Sequence, residues 1–246
     1  MRIALLADIH GNFAAMQAVL ADLRHRGVDR IVALGDHLSG PLLPSETASL
    51  MMREPWVAVA GNHERQLLSF DATSAGPSDR YAHAQLSAEH FAWLRSLQPT
   101  ARVDGDMLLC HGTPGSDTAY LLDTVENGRL RLATTTEIEA RLHGVSATVV
   151  ACGHSHVPRV VKTGRGQLLI NPGSVGLPAY ADESPSHHVA ETGSPDARYA
   201  ILERQPSGWT TGLFSVPYDF EAMAGLADRN HRPDWSHALR TGYALS

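Results

Sequence analysis

Five short apolar runs along this chain each end in aspartate, asparagine or histidine, usually beside glycine. The first run, Ile3 to Ala7, leads into Asp8 and His10. A strand points successive side chains to opposite faces, so Asp8 and His10 are expected to leave the same face at its carboxyl end. Carboxylate and imidazole groups held close together suit Mn, Fe and Zn ions. For this motif alone, a hydrogen-bonded pair at a strand end is an equal alternative.

Four later apolar runs end in the same way. The polar residues that follow the five runs are Asp8 and His10, then Asp36, then Asn62 and His63, then His111, and finally His154 and His156. The strand ends of an open α/β sheet meet at one edge, so these side chains are expected to converge. Together they offer enough oxygen and nitrogen donors for two divalent ions, and a bridging carboxylate would hold the ions about 3.5–4 Å apart.

The opening residues predict a βαβ unit. The strand from Ile3 to Ala7 precedes a helix capped by Asn12 and stopped by Gly27, and Arg30 to Leu34 forms the next strand. Such a unit implies a right-handed crossover, a parallel sheet and a ligand site at the carboxyl ends of the strands. The fold class is therefore α/β, with further strands and two hairpins expected in the second half.

We expect one domain over residues 1–246, without internal repeats or linkers. The polar stretch 182–195 is predicted to be a loop insertion, the Ser/Ala/Gly/Pro-rich stretch 70–79 a surface excursion, and residues 229–246 a peripheral tail. The net charge of −6 argues against binding to a nucleic-acid polymer. No apolar run is long enough for a signal peptide or a membrane span.

The chain has two cysteines, Cys110 and Cys152, so a disulfide framework is not expected and a cytoplasmic location is favoured. Both cysteines precede residues of the candidate site, which makes thiolate ligands conceivable. Neighbouring strand residues point to opposite faces, however, so we expect both to be small buried hydrophobic residues.

The ordered motifs carry a resemblance to a known family. They are Asp8-x-His10, Gly35-Asp36, Gly61-Asn62-His63-Glu64, His111 and Gly153-His154-Ser155-His156. This set resembles that of the calcineurin-like metallophosphoesterases, and residues 171–176 resemble a segment typical of their small prokaryotic phosphodiesterase branch. The likeness covers about residues 1–176 and implies a four-layer α/β/β/α sandwich with two mixed sheets flanked by helices.

The resemblance also implies a role for each motif residue. Asp8, His10 and His156 would hold the first ion, and Asp36 would bridge the two ions. Asn62, His111 and His154 would hold the second ion. His63 would face the substrate phosphate and act in catalysis together with Asn62, and Glu64 would orient a histidine. The ions expected are Mn, Fe, Zn, Co or Ni, with Mn or Fe favoured.

The implied activity is hydrolysis of phosphodiester bonds in a small or nucleotide-type substrate, by attack of a metal-bridging hydroxide. A phosphomonoesterase or nucleotide pyrophosphatase on the same site is the alternative. A binding scaffold without turnover, like the retromer subunit that resembles this family, is a third reading, but it predicts decayed ligands and none has decayed here. The segment Gly35 to Gly40 lacks the phosphate-gripping arginine of serine/threonine protein phosphatases, which argues against that activity.

Several other residues leave alternatives open. His37 is either a loop histidine or a neighbour of the pocket, and His187 and His188 are expected to be solvated unless their loop closes over substrate. Gly173 and Ser174 either donate hydrogen bonds to phosphate or only shape the wall behind the ions.

Overall fold

The computed structural model describes residues 1–245, which contain eight helices and fourteen strands. The helices are α1 (Phe13–Arg26), α2 (Pro44–Met51), α3 (Asn62–Leu68), α4 (Pro77–Gln85), α5 (Ala88–Ser96), α6 (Thr135–Leu142), α7 (Phe220–Arg229) and α8 (Pro233–Thr241). The strands are β1 (Arg2–Leu6), β2 (Arg30–Ala33), β3 (Val57–Ala58), β4 (Thr100–Val103), β5 (Met107–Cys110), β6 (Asp123–Glu126), β7 (Arg129–Leu132), β8 (Val149–Ala151), β9 (Arg159–Lys162), β10 (Leu168–Asn171), β11 (Ala179–Asp182), β12 (His188–Glu191), β13 (Ala197–Gln205) and β14 (Gly208–Val216).

The strands form three sheets. The first has the order β14-β13-β1-β2-β3, the second β4-β5-β8-β10-β9, and the third β11-β12-β7-β6. Strands β1 and β2 pair in parallel and are connected by α1, as the βαβ prediction requires. The hairpins β9–β10 and β13–β14 are also confirmed.

Apolar side chains divide the molecule into four layers. One buried cluster lies between the first two sheets, where Leu5 of β1 and Leu109 of β5 belong to the same core. A second cluster packs α1 against the outer face of the first sheet, with Met16 and Val19 at its centre. A third packs α6, through Ile138, against the outer face of the second sheet. The predicted α/β/β/α sandwich is confirmed, and the third sheet is added to it.

Regular structure extends into stretches that the sequence analysis treated as irregular. The predicted 182–195 loop contains β12, whose alternate residues His188 and Ala190 are buried. The predicted excursion at 70–79 ends in the first turn of α4, and β6 and β7 form a hairpin that the sequence did not predict. These short strands are mostly polar, so the alternation of buried and exposed residues does not show as an alternation of apolar and polar residues in the sequence.

The predicted peripheral tail is also partly wrong. Within residues 229–245, α8 packs on α7 and buries Trp235 and Leu239, while Ser246 lies outside the described residues. Two buried positions four residues apart place one face of α8 against the rest of the fold. Among residues 1–245, no helix combines the length and the apolar character needed to cross a membrane.

We expect Leu202→Ala to lower the free energy of unfolding by about 2–5 kcal/mol, because it leaves a cavity in the core between the sheets. Leu213→Ala on the neighbouring strand is the matched control, since Leu213 is 44% exposed. That variant should stay within about 0.5 kcal/mol of the parent protein. Urea unfolding followed by circular dichroism measures both, and equal losses would contradict the burial assigned to Leu202.

Candidate metal centre

The residues that end the five apolar runs meet in space as two clusters. Asp8, His10 and His156 each offer one ligand atom within 4.8 Å of the others, and Asp36, His111 and His154 do the same. Asn62 adjoins the second cluster, with its Oδ1 atom 3.0 Å from Nε2 of His111. All seven residues predicted as ligands therefore lie together, and His63 lies next to them, its ring centroid 5.4 Å from that of His10.

Left-handed backbone conformations, rather than the strand pleat, bring these side chains together. Strand β1 ends at Leu6, and beyond it Asp8 and His10 have φ angles of 54° and 52°. Asp36, His154 and His156 also have positive φ angles. A non-glycine residue in this region costs on the order of 1–3 kcal/mol. The prediction that Asp8 and His10 share one face of an extended strand is wrong, although the predicted convergence is correct.

In the first cluster, two ring nitrogens face each other with their lone pairs. Nδ1 of His10 lies 2.7 Å from the carbonyl oxygen of Ser39, and Nδ1 of His156 lies 2.7 Å from that of Leu177. A carbonyl oxygen only accepts, so both Nδ1 atoms carry the proton and both Nε2 atoms are acceptors. The two Nε2 atoms are 3.1 Å apart.

A proton between these two nitrogens is disfavoured, because burial lowers the pKa of His10 to about 4 and that of His156 well below its usual value. Asp8 lies beside them, 3.6 Å from Nε2 of His156, and burial raises the pKa of Asp8 to about 8. Two imidazole nitrogens and one carboxylate form a donor set that fits a divalent cation such as Mn, Fe or Zn.

The second cluster shows the same arrangement around His111. Its Nδ1 atom donates to the carbonyl oxygen of Leu34 at 2.7 Å, and its Nε2 atom lies 3.1 Å from Oδ2 of Asp36. Burial opposes protonation of His111, but Asp36 raises the pKa of the imidazole to about 10. Nε2 of His154 donates to the carbonyl oxygen of Thr118 at 3.0 Å, which leaves Nδ1 for the cluster.

Glu64 does not orient a histidine, contrary to the sequence prediction. Its buried carboxylate accepts hydrogen bonds from the backbone N–H groups of Asp36, His37 and Gly61 at 2.7–2.8 Å. These bonds tie the start of α3 to the turn that follows β2. Because Asp36 stands in that turn, Glu64 fixes the backbone that carries Asp36.

The sequence analysis missed Asp79, which holds His63 in place. Nδ1 of His63 lies 2.7 Å from Oδ1 of Asp79, and the same oxygen accepts a hydrogen bond from Ser39 Oγ at 2.6 Å. Burial opposes protonation of His63, but Asp36 and Asp79 outweigh it and raise the pKa of the ring to about 9. Pro77 at the first position of α4 was a helix-start signal that could have placed Asp79 in ordered structure.

The segment after β10 forms the wall behind the clusters. Ser174 Oγ donates to the carbonyl oxygen of Asp8 at 2.7 Å, and a Cβ atom at Gly176 would lie 1.8 Å from the carbonyl oxygen of Ile9. Only glycine can therefore stand at position 176. These contacts support the reading that the segment shapes the wall. Cys110 and Cys152 are buried and unpaired, as predicted.

The clusters open into a cavity of about 460 Å³. Its lining includes His10, His63, Asp79, Tyr180, Arg232 and Trp235. Two of these residues come from the stretch predicted to be a peripheral tail. His37 does not line the cavity and is buried, with Nε2 2.9 Å from the carbonyl oxygen of Val59. His188 is fully buried against Tyr120 rather than solvated, so that prediction is wrong.

Comparisons with known proteins agree with this architecture. An uncharacterized protein of Methanocaldococcus jannaschii is 24% identical over 255 residues, which covers 95% of this chain and 94% of that protein. The crystal structure of a metallophosphoesterase from Sphaerobacter thermophilus superposes with a TM-score of 0.76 at 26% identity, covering 98% of this chain and 99% of that one. A hypothetical protein from Pyrococcus horikoshii has the same fold, with a TM-score of 0.75 at 19% identity and 99% of each chain covered.

A family model described as the calcineurin-like phosphoesterase superfamily domain matches residues 1–194, which include all six residues of the two clusters together with Asn62 and His63. This chain therefore belongs to the calcineurin-like phosphoesterase superfamily.

Proposed function

We propose that this protein is a phosphodiesterase that depends on two divalent metal ions and acts on a small or nucleotide-type substrate. The observation that carries the proposal is the pair of imidazole Nε2 atoms, on His10 and His156, that face each other at 3.1 Å while both Nδ1 atoms are bound to backbone carbonyl oxygens. Such a pair is favourable only around a cation, and carboxylates stand beside it. The unpaired, buried cysteines are compatible with the cytoplasmic location expected from the sequence.

In this proposal, Asp8, His10 and His156 would hold one ion, Asn62, His111 and His154 would hold the other, and Asp36 would be shared between the two sites. Mixed oxygen and nitrogen donors suit Mn, Fe, Zn, Co and Ni, and Mn or Fe are favoured. When bound, an ion pair of this kind neutralises charge on the substrate phosphate and lowers the pKa of water at the site.

His63 supplies the acid of the reaction in this proposal. Asp79 fixes the ring by accepting from Nδ1, which turns Nε2 away from that carboxylate. The side chain of His63 is 25% exposed and lines the cavity, so it can reach a bound phosphate ester. A protonated ring there stabilises negative charge on phosphorus oxygens and donates a proton to the departing oxygen.

The charges around the cavity favour a diester over a monoester. Within the described part of the chain, Arg232 is the one lysine or arginine of the lining, and both its Nε and Nη2 atoms are bound to Asp234. Asp79 and Asp182 also line the cavity. A monoester carries more negative charge than a diester, and each added charge costs about 2 kcal/mol at roughly 8 Å from such a carboxylate at an effective dielectric constant of about 20.

Metal removal tests the proposal directly. Protein treated with a chelator should lose hydrolysis of a bis-nitrophenyl diester, and Mn or Fe should restore it. Asp36→Asn should lower activity more than about 100-fold, because changes outside the ligand set alone cost about 10–100-fold. Asp104→Asn, in a surface turn before β5, is the matched control and should keep full activity. Metal analysis and initial rates give both readouts, and an active Asp36→Asn protein would refute the assignment.

Substrate charge gives a second test. With nitrophenyl as the common leaving group, kcat/KM should be at least about tenfold higher for the diester than for the monoester, which corresponds to about 1.4 kcal/mol. An anhydride with the same leaving group separates pyrophosphatase activity. Dominant turnover of the monoester or the anhydride would replace the diester proposal with the corresponding alternative.

The assignment of His63 as an acid predicts a dependence on the leaving group. His63→Gln should lower kcat about 10²–10⁴-fold for a phenyl ester, and Asp79→Asn should lower it less, because the ring remains but is poorly held. Both losses should shrink for a nitrophenyl ester, whose leaving oxygen needs little protonation. Metal content should stay at the parental level in both variants. Equal losses for the two esters would show that His63 does not donate a proton.

A further inference from the structure

The segment from His154 to His156 carries two residues of the candidate metal centre in an unfavourable backbone conformation. Their φ angles are 68° and 59°, both left-handed. Residues held in this region persist where the surrounding structure over-determines them. The contacts that hold this segment therefore decide where the two imidazole rings stand.

The third sheet contacts all three residues of the segment. Ser155 Oγ donates to Oδ2 of Asp123, the first residue of β6, at 2.7 Å. Tyr180 of β11 packs its ring edge-on against His156, with ring centroids 4.6 Å apart. The Tyr180 hydroxyl also lies 3.2 Å from the carbonyl oxygen of His154.

Tyr120 links these contacts to β12. Its ring lies over that of His154, with centroids 4.9 Å apart and an angle of 33° between the planes. Its hydroxyl lies 2.8 Å from the Tyr180 hydroxyl and 2.8 Å from Nε2 of His188. Nδ1 of His188 donates to the carbonyl oxygen of Ser186, so Nε2 accepts the proton of Tyr120.

The network is buried and directional. Tyr120 is 8% exposed and His188 is fully buried. Because Tyr120 donates to His188, the single proton of the Tyr180 hydroxyl is shared between the Tyr120 oxygen at 2.8 Å and the carbonyl oxygen of His154 at 3.2 Å, and the two phenols are held in a fixed relation. One ring then packs on His154 and the other on His156.

We propose that the third sheet, acting through Tyr120, Tyr180 and His188, positions His154 and His156 and so sets the affinity of the centre for divalent ions. Tyr120 is a positioning residue and does not line the cavity. This inference rests on the proposed function, since it concerns the same two clusters. It assigns to β11 and β12 a task that the ligand residues alone do not perform.

The test measures stepwise binding of Mn²⁺ to chelator-stripped protein by electron paramagnetic resonance. Tyr120→Leu removes the ring and the hydroxyl, and we expect it to weaken binding by about 10–100-fold. Tyr120→Phe keeps the ring over His154 and should retain most of the affinity. Tyr199→Phe and Tyr199→Leu are matched controls, because Tyr199 is fully buried and bonds Asp22 away from the centre. They should lower stability but leave Mn²⁺ affinity unchanged.

Each outcome decides between the two proposals. Parental Mn²⁺ affinity in Tyr120→Leu would overturn the positioning role and leave the proposed function standing. Equal losses in the Tyr199 controls would overturn it as well, since they would reflect general destabilisation. A parent protein that binds no divalent ion would overturn both proposals. If Tyr120→Leu fails to fold, Tyr180→Leu removes the ring that packs against His156, and the same Mn²⁺ measurement should show a comparable loss of affinity.

Discussion

Facing lone pairs at the carboxyl ends of four strands are the constraint on which this structure depends. Backbone carbonyl groups accept from Nδ1 of His10, His156 and His111, so all three Nε2 atoms point inward, those of His10 and His156 as acceptors and that of His111 toward Asp36. Carboxylates of Asp8 and Asp36 complete the ring of acceptors. These acceptors are buried, so water does not separate them, and without a positive charge between them they repel one another. The fold therefore presents a donor set suited to cations, and the carbonyl groups that fix the tautomers belong to that site as much as the predicted ligands do.

The scaffold supports this arrangement from several directions because the backbone that carries it is strained. Glu64 accepts from three backbone N–H groups around Asp36. Ser174 bonds the carbonyl group of Asp8, and the close approach of Gly176 to Ile9 locks the same turn from behind. The left-handed turns at Asp8 and Asp36 are thus held by specific buried hydrogen bonds. The strained backbone at the strand ends persists because the surrounding walls hold it rigidly.

The sequence predicted the strand ends well and the remainder of the site poorly, for physical reasons. Apolar runs that end in polar residues identify strand tips, and parallel strand tips converge, so the two clusters could be anticipated. The left-handed turns could not be predicted, because the sequence around Asp8 and His10 is equally compatible with an extended strand. Asp79 was missed and His188 was wrongly expected to be solvated, because their contacts join elements distant in sequence and the stretches around them are mostly polar. Local periodicity carries no information about such pairings.

The parts that the sequence did not predict are those that shape the substrate cavity. The ends of the strands supply the proposed metal-binding atoms, and the same set of atoms could serve the hydrolysis of many different substrates. Arg232 and Trp235 from α8 and Tyr180 from β11 form much of the remaining wall. Trp235 also lies 5.8 Å from the ring of His10, so the helix that borders the cavity packs directly on the centre. Because the clusters come from the ends of the core strands and much of the cavity wall from later elements, changes in β11 and α8 can alter substrate choice while the residues of the two clusters stay unchanged.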